Sequence, residues 1–227
     1  VMVGLTPEIQ QLNDTIRRVA PVPRPVVIIG ERGTGKELVA RAIHAASGST
    51  GAFVAVNCAA FGDALLDSEL FGHERGAFTG AVERVSGKLE LSAGGTLFLD
   101  EIGNMSLPFQ QKLMRVVEYR HFLRVGGNSE IEFGGRVIAA TNADLQHQIA
   151  EGRFLADLYD RLAFEVIDVP PLRKRPDDIE LLAQHFLQRF IREVPAMRGK
   201  RLSDEAIESL REYDFPGNVR ELKNIVE

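Results

Sequence analysis

A run of four β-branched residues, Val26-Val27-Ile28-Ile29, ends abruptly in Gly30-Glu31-Arg32-Gly33-Thr34-Gly35-Lys36-Glu37, and this junction dictates a strand–loop–helix unit. The β-branched run predicts a short buried strand, and Gly30 breaks it into a glycine-rich turn. Leu38, Val39 and Ala42 then resume at helical spacing. Gly30 to Lys36 fits G-x-x-x-x-G-K, the pattern of a phosphate-binding loop. Its glycines let successive backbone N–H groups curl inward around an anion. The new helix presents its positive end, and Lys36 adds a charge for the outer phosphates. Taken alone, the stretch can also be read as a chance glycine turn. Glu37 stands where the generic motif has a hydroxyl residue that ligates magnesium.

The surrounding pattern favours nucleotide binding over the chance turn. Thr6-Pro7 predicts the start of a helix whose apolar face is Ile9, Leu12, Ile16 and Val19, ending before Pro21 and Pro23. Phe53 to Val56 reads as a second buried strand, ending at Asn57-Cys58, and Asp63 to Phe71 as a helix. Gly72 to Ala81 is too glycine-rich to be helical yet carries Phe78 at its centre, which predicts a loop projecting from the body. Thr96 to Leu99 is a third strand, Ser106 caps a helix striped by Phe109, Leu113, Val116 and Val117, and Arg136 to Thr141 is a fourth strand. Phe122 to Val125 and Ile131 to Phe133, around Gly126-Gly127-Asn128, predict a β-hairpin. A helix around 144–151 leads to a fifth strand, Phe164 to Val169. Strands alternating with helices imply an α/β fold with a mostly parallel sheet covered on both faces.

Pro170-Pro171 ends that pattern, because two prolines continue neither strand nor helix. Beyond them three apolar stripes predict a helical lid: Ile179, Leu182, Ala183, Phe186 and Phe190; Ala206, Ile207 and Leu210; and Val219, Leu222, Ile225 and Val226 after Pro216-Gly217-Asn218. The expected division is 1–171 for the α/β body and 172–227 for the lid. The last stripe runs to Glu227, so further chain is expected beyond it.

Leu97-Phe98-Leu99-Asp100-Glu101 supplies what a phosphate loop needs downstream. An apolar strand carries Asp100 at its carboxyl end to hold magnesium, and Glu101 beside it to polarise an attacking water as general base. Two acidic residues opening a solvated turn is the weaker alternative. A net charge of −5 gives no basic field to attract nucleic acid. Cys58 stands alone, which rules out an internal disulfide and predicts a reducing, cytoplasmic setting, and with no apolar run approaching about 18 residues no membrane insertion is expected. It reads as a small packing residue, and His44 and His73 read as surface or packing residues rather than metal ligands.

With both halves of the signature present, the chain resembles an AAA+ P-loop ATPase. Gly76-Ala77-Phe78-Thr79-Gly80-Ala81 narrows the resemblance to bacterial enhancer-binding proteins, the activators of σ54-RNA polymerase. It extends from the phosphate loop, where Glu37 is normal for that family, to Asn218-Val219-Arg220-Glu221-Leu222. The resemblance implies a five-stranded parallel sheet with a C-terminal helical lid, ATP and Mg2+ as cofactors, and assembly into a ring, expected to be a hexamer. It implies σ54 as the partner of the Gly76–Ala81 loop, a negative regulator as a further candidate partner, and contact with promoter DNA through a C-terminal domain outside these residues. Nucleotide contacts fall on Gly30 through Glu37 and on Arg220, which resembles the sensor II arginine; a solvated helix charge is its alternative. Asn57 resembles the switch asparagine that holds the catalytic glutamate away until ATP is set, with a plain strand-end turn as the alternative. Thr141-Asn142 resembles sensor I, and Arg124-Val125-Gly126-Gly127 the second pore loop. Arg161 matches one of two arginines offered across a subunit interface to a neighbour's ATP. The other falls at Leu155, so the alternative to an ATPase motor is a nucleotide-gated σ54-binding module with weak turnover.

Overall fold

The computed structural model describes residues 2–227. Strands β1 (Val26–Ile29), β2 (Phe53–Asn57), β3 (Gly72–His73), β4 (Val85–Ser86), β5 (Thr96–Asp100), β6 (His121–Phe122), β7 (Ile131–Glu132), β8 (Arg136–Thr141) and β9 (Glu165–Asp168) are joined by helices. In the body these are α1 (Pro7–Val19), α2 (Lys36–Ala46), α3 (Asp63–Phe71), α4 (Lys88–Leu91), α5 (Leu107–Tyr119), α6 (Leu145–Ala150) and α7 (Ala156–Leu162). The lid is α8 (Asp177–Glu193), α9 (Asp204–Glu212) and α10 (Asn218–Val226). The central sheet is five-stranded, in the order β2-β5-β8-β1-β9, and every pairing in it is parallel.

The unbroken apolar runs follow from burial of the inner strands on two faces. Val26, Ile28, Phe98, Ile138 and Ala140 point to one side and pack with Ile9, Leu12, Ile16, Val39 and Ile43 of α1 and α2. Val27, Leu97, Leu99, Val137 and Ala139 point to the other and pack with Leu66, Leu70, Phe109, Leu113, Leu158 and Leu162. The lid has its own cluster around Leu172, Ile179, Leu182, Phe215 and Leu222.

Two expectations are corrected, and one helix is added. β2 is an edge strand with only Val56 fully buried, because its outer side lacks a neighbour. The second hairpin pairs only His121–Glu132 and Phe122–Ile131. Val125 leaves it to bridge His73 in parallel, so the turn is far wider than Gly126-Gly127-Asn128. Helix α7 was not expected from the sequence, since its apolar signal is short, with Leu158 and Leu162 its buried residues.

The register decides where the chemistry lies. Ile29 aligns with Thr141, and Asn57 with Asp100. The carboxyl ends of β1, β8, β5 and β2 therefore open along one rim of the sheet, the usual ligand crevice of an open α/β fold.

Candidate active site

At that rim β1 turns through the glycine loop into α2. Gly33 and Gly35 have φ of 77° and 101°, in the left-handed region that favours glycine. Thr34 is fully buried, and its hydroxyl donates to the Glu31 carbonyl at 2.8 Å. The Lys36 ammonium lies across the mouth of the loop, donating to the carbonyls of Gly30 at 2.9 Å and Glu31 at 3.3 Å. Burial lowers its pKa, and the Glu101 and Asp100 carboxylates oppose that shift. The Glu37 carboxylate is held one turn along α2 by Arg41, at 2.9 and 2.7 Å.

The acidic pair faces this loop from β5. Burial pushes the Asp100 pKa up, and the neighbouring Glu101 charge adds to the shift. Glu101 sits at φ 57° and ψ 46°, a strained conformation for a residue with a side chain. Its N–H donates to Asp100 Oδ1 at 3.0 Å, which helps to hold that geometry. Asn142 completes the group from the end of β8. With its amide oriented by its neighbours, the nitrogen donates to Glu101 Oε2 at 2.6 Å and the oxygen accepts from Arg32 Nε at 3.3 Å. Asn57 is aligned with Asp100 in the sheet, but its amide oxygen accepts from the Ala59 N–H at 2.9 Å rather than meeting Glu101.

The lid closes the other side. The Glu31 carboxylate accepts two hydrogen bonds from Arg173, at 2.7 and 2.5 Å, and one from Asn218 at 3.1 Å. Those donors, Arg173 foremost, lower its pKa from 4.5 to about 2. The Arg220 N–H reaches the Gly33 carbonyl at 3.3 Å, and the Arg220 charge contributes to depressing Lys36.

The Gly76–Ala81 loop stands on the β3–β4 hairpin away from this rim. Gly76 N–H closes it by donating to the Ala81 carbonyl at 2.8 Å, with φ of 81° at Gly76 and 99° at Gly80. Phe78 is 47% exposed and meets His73 edge-on at 5.0 Å. The wide turn of the second hairpin supports the loop. Arg124 is buried and binds Glu90 at 2.9 and 2.5 Å and Glu74 at 2.9 Å. A hollow of about 740 Å³ opens beside that turn, between α5 and residues His121 to Gly127.

Residues 2–168 match the family described as Sigma-54 interaction domain, and residues 173–227 match the AAA+ ATPase lid domain. The chain belongs to the σ54 enhancer-binding activators. The Psp operon transcriptional activator of Escherichia coli K12 is 48% identical over 100% of this chain and 70% of its own length. Transcriptional regulatory protein ZraR of the same strain is 52% identical over 100% of this chain and 51% of its own. The crystal structure of NtrX from Brucella abortus in complex with ATP superposes with a TM-score of 0.91, at 38% identity, over 99% of this chain and 51% of that one. This σ54-activator chain thus spans between about half and 70% of the length of those relatives.

The two positions matched to interface arginines lie on and before α7 in the activator chain. Arg161 donates to Glu118 at 3.0 Å and to the Asp157 carbonyl at 2.9 Å. Leu155 caps α7 and packs against the main core, and its N–H donates to Gln110 Oε1 at 2.8 Å. Gln110 is fully buried and also donates to the carbonyls of Met105 and Arg153. Sequence reasoning misses this role, since a glutamine within an amphipathic helix reads as surface. Arg173 and Asn218 were likewise missed as partners of the phosphate loop, though a polar Asn between Gly217 and an apolar stripe was a usable hint.

Among the described residues no cluster of three or more His, Cys, Asp or Glu side chains forms a cage for a metal ion. Asp100 nonetheless suits a cation, being a half-buried carboxylate whose charge is disfavoured by burial and by Glu101. Such a site fits Mg2+, which binds through one or two carboxylates together with phosphate oxygens and waters.

Proposed function

We propose that the chain binds ATP with Mg2+ and hydrolyses it as a ring-forming motor, expected to be hexameric, which engages σ54 through the Gly76–Ala81 loop and remodels the closed promoter complex. The carrying observation is the convergence of Lys36, Asp100, Glu101, Asn142 and Arg32 at the mouth of the phosphate loop. Phosphoryl transfer to water needs positioning and charge stabilisation more than covalent chemistry, and this group has the members for both.

In this reading the loop amides and Lys36 hold the phosphates, and Asp100 holds Mg2+, which neutralises charge on the transferred group. Glu101 takes the proton from the attacking water. Asn142 restrains Glu101 and senses the γ-phosphate, and Asn57, turned from Ala59, holds Glu101 away until ATP is set. Arg220 reaches the nucleotide from the lid, and Arg161 reaches a neighbour's nucleotide once released from Glu118. Residues 1–171 and 172–227 act as body and lid. A companion DNA-binding domain and a regulator protein complete the activator in the cytoplasm.

Leu155 favours a second reading, a nucleotide-gated σ54-binding module with weak turnover, because a packed leucine carries no charge to a neighbour's phosphate. Steady-state ATP hydrolysis over a protein concentration series separates the two. Turnover that rises steeply with assembly supports the motor, and assembly with negligible turnover supports the gated module.

A further inference from the structure

Glu31 lies within the phosphate loop, yet its carboxylate is engaged on the lid side. Oε2 accepts from Arg173 Nη1 at 2.7 Å and Asn218 Nδ2 at 3.1 Å, and Oε1 from Arg173 Nη2 at 2.5 Å. Asn218 is fully buried at φ 55°, donates to the Arg32 carbonyl at 3.1 Å, and accepts from the Leu172 N–H at 2.8 Å. The Arg220 N–H then reaches the Gly33 carbonyl at 3.3 Å. A Cβ on Gly33 would lie 2.1 Å from the Gly217 carbonyl oxygen, so loop and lid touch backbone to backbone.

The lid's apolar cluster is separate from both sheet clusters, so packing alone does not orient α10 on the loop. A second polar tie joins the lid to the N-terminal segment, where Asp178 on the first turn of α8 accepts from the Leu5 and Thr6 N–H groups at 2.6 and 3.1 Å. Directional, charge-assisted hydrogen bonds at the start of α10 are what fix its approach.

We propose that Glu31 is a positioning residue: by gathering Arg173 and Asn218 it fixes the start of α10 against the phosphate loop, and so sets where Arg220 meets the nucleotide. The inference rests on the ATPase reading above, because that reading gives Arg220 its place at the phosphates. The Glu31 carboxylate touches neither nucleotide nor metal in this scheme; only its backbone belongs to the phosphate cradle.

The test is a double-mutant cycle on Glu31→Gln and Arg173→Ala, read by the Kd of a fluorescent ATP analogue, by kcat/KM and by hydrogen exchange at the amides of 219–222. Each single variant is expected to weaken the analogue up to about fivefold, the scale of a half-exposed charge-assisted pair. The double variant is expected to be no worse than the weaker single within about twofold, because one interaction is lost once. Arg173→Lys, which keeps one charged donor, is expected to recover part of kcat/KM. Exchange at 219–222 is expected to quicken in the nucleotide-free variants, while thermal midpoints stay near the parent's. Losses that multiply, or exchange that does not change, overturn the proposal and make Glu31 a direct ligand or a bystander. A parent chain that binds no ATP defeats the functional reading instead, and exchange in the nucleotide-free chain then decides the latch alone.

Discussion

The phosphate loop and the Gly76–Ala81 loop are both rich in glycine with positive φ, yet the glycines serve opposite ends. At Gly33 a side chain is barred by the Gly217 carbonyl 2.1 Å away, whereas Gly76 and Gly80 have nothing within 4 Å of such a position. Thr34 is fully buried and bonded back to Glu31, whereas Thr79 is exposed. The first loop is roofed by the lid. The second rests on the edge of His73 and on Gly126, where a Cβ would come within 2.8 Å of Ala77. Glycine allows close approach in one loop and freedom to swing in the other, and a chemical site needs fixity where a partner-engaging loop needs travel.

The sharpest way to break that contrast is to mutate the chemistry of each loop. Glu101→Ala is expected to lower ATP turnover by about 10²–10⁴ while leaving binding largely intact, because the base is lost and the phosphate cradle is kept. Lys36→Ala is expected to weaken binding itself. Thr79→Ala and Phe78→Ala are expected to hold turnover within about twofold, a change of under about 0.5 kcal/mol in the barrier, while removing σ54 capture in the presence of a transition-state analogue of ATP. Filter binding, hydrolysis rates and σ54 pull-down with the analogue read all four variants. Equal loss of ATP binding in Glu101→Ala and Lys36→Ala would undo the division of roles. Surviving σ54 capture in both loop variants would remove the loop assignment.

The glycines give the next largest effect. Gly33→Ala adds a backbone clash to an unfavourable φ, and a cost of about 3 kcal/mol or more is expected, in the range reserved for severe core or backbone damage. Gly80→Ala meets open space and carries only the conformational cost, about 1–2 kcal/mol. Urea midpoints of the two variants compare them directly. Equal destabilisation would mean that the lid does not press on the phosphate loop in solution.

Much of the fixed region was legible in the sequence because it is built from local pattern. The run Val26 to Lys36 and the strand ending Asp100-Glu101 each carry their signal in contiguous residues, and the parallel register then brings their ends to one rim. What was not legible depends on contacts distant in sequence. Gln110 with Arg153 and Leu155, and Glu31 with Arg173 and Asn218, join segments whose spacing records nothing of the pairing. The second hairpin went partly astray for the same reason, since Val125 pairs with His73 rather than across its own turn. The roles given to Asn57 and Arg161 rest on resemblance, and their present partners, Ala59 and Glu118, could not have been read from periodicity.

Whether the fixed region is complete within one subunit is tested at Leu155. An arginine offered across an interface is worth roughly 10³–10⁵ in rate for GTPases, and leucine carries no such charge. If both arginine positions are needed, the parent assembles yet turns over slowly, and Leu155→Arg is expected to raise kcat about tenfold at saturating ATP and protein. Arg161→Ala is expected to eliminate what turnover there is. An unchanged kcat in Leu155→Arg would make Leu155 a tolerated packing residue beside Gln110 and leave Arg161 sufficient.

The smallest effect concerns the ion pairs that hold the two loops. Glu31, within the phosphate loop, has its pKa lowered from 4.5 to about 2, first by Arg173 and then by Asn218. Glu90, under the projecting loop, is also lowered: burial, the largest single influence, raises it, but the hydrogen bonds from Arg124, the Gly87 N–H and Ser86, with the Arg124 charge, together outweigh that. Both carboxylates are more acidic folded than unfolded, so each contributes stability that is present above about pH 4.5 and lost as pH falls. The Glu31–Arg173 pair is 42% exposed on both sides, so solvent screening limits it to about 1 kcal/mol or less at neutral pH. Arg124 is 7% exposed and Glu90 18%, so removing Glu90 leaves a buried cation short of its partner and costs more. Urea midpoints of the parent, Glu31→Gln and Glu90→Gln from pH 7 to pH 2 test the ranking. The gap between parent and Glu31→Gln is expected to be small at pH 7, to shrink below about pH 4.5 and to close only below about pH 2, with Glu90→Gln showing the larger gap at neutral pH. The reverse ranking at pH 7 would mean that the projecting loop is held less firmly at its base than the phosphate loop is held to the lid, and the freedom of that loop would then begin at Arg124 rather than at its glycines.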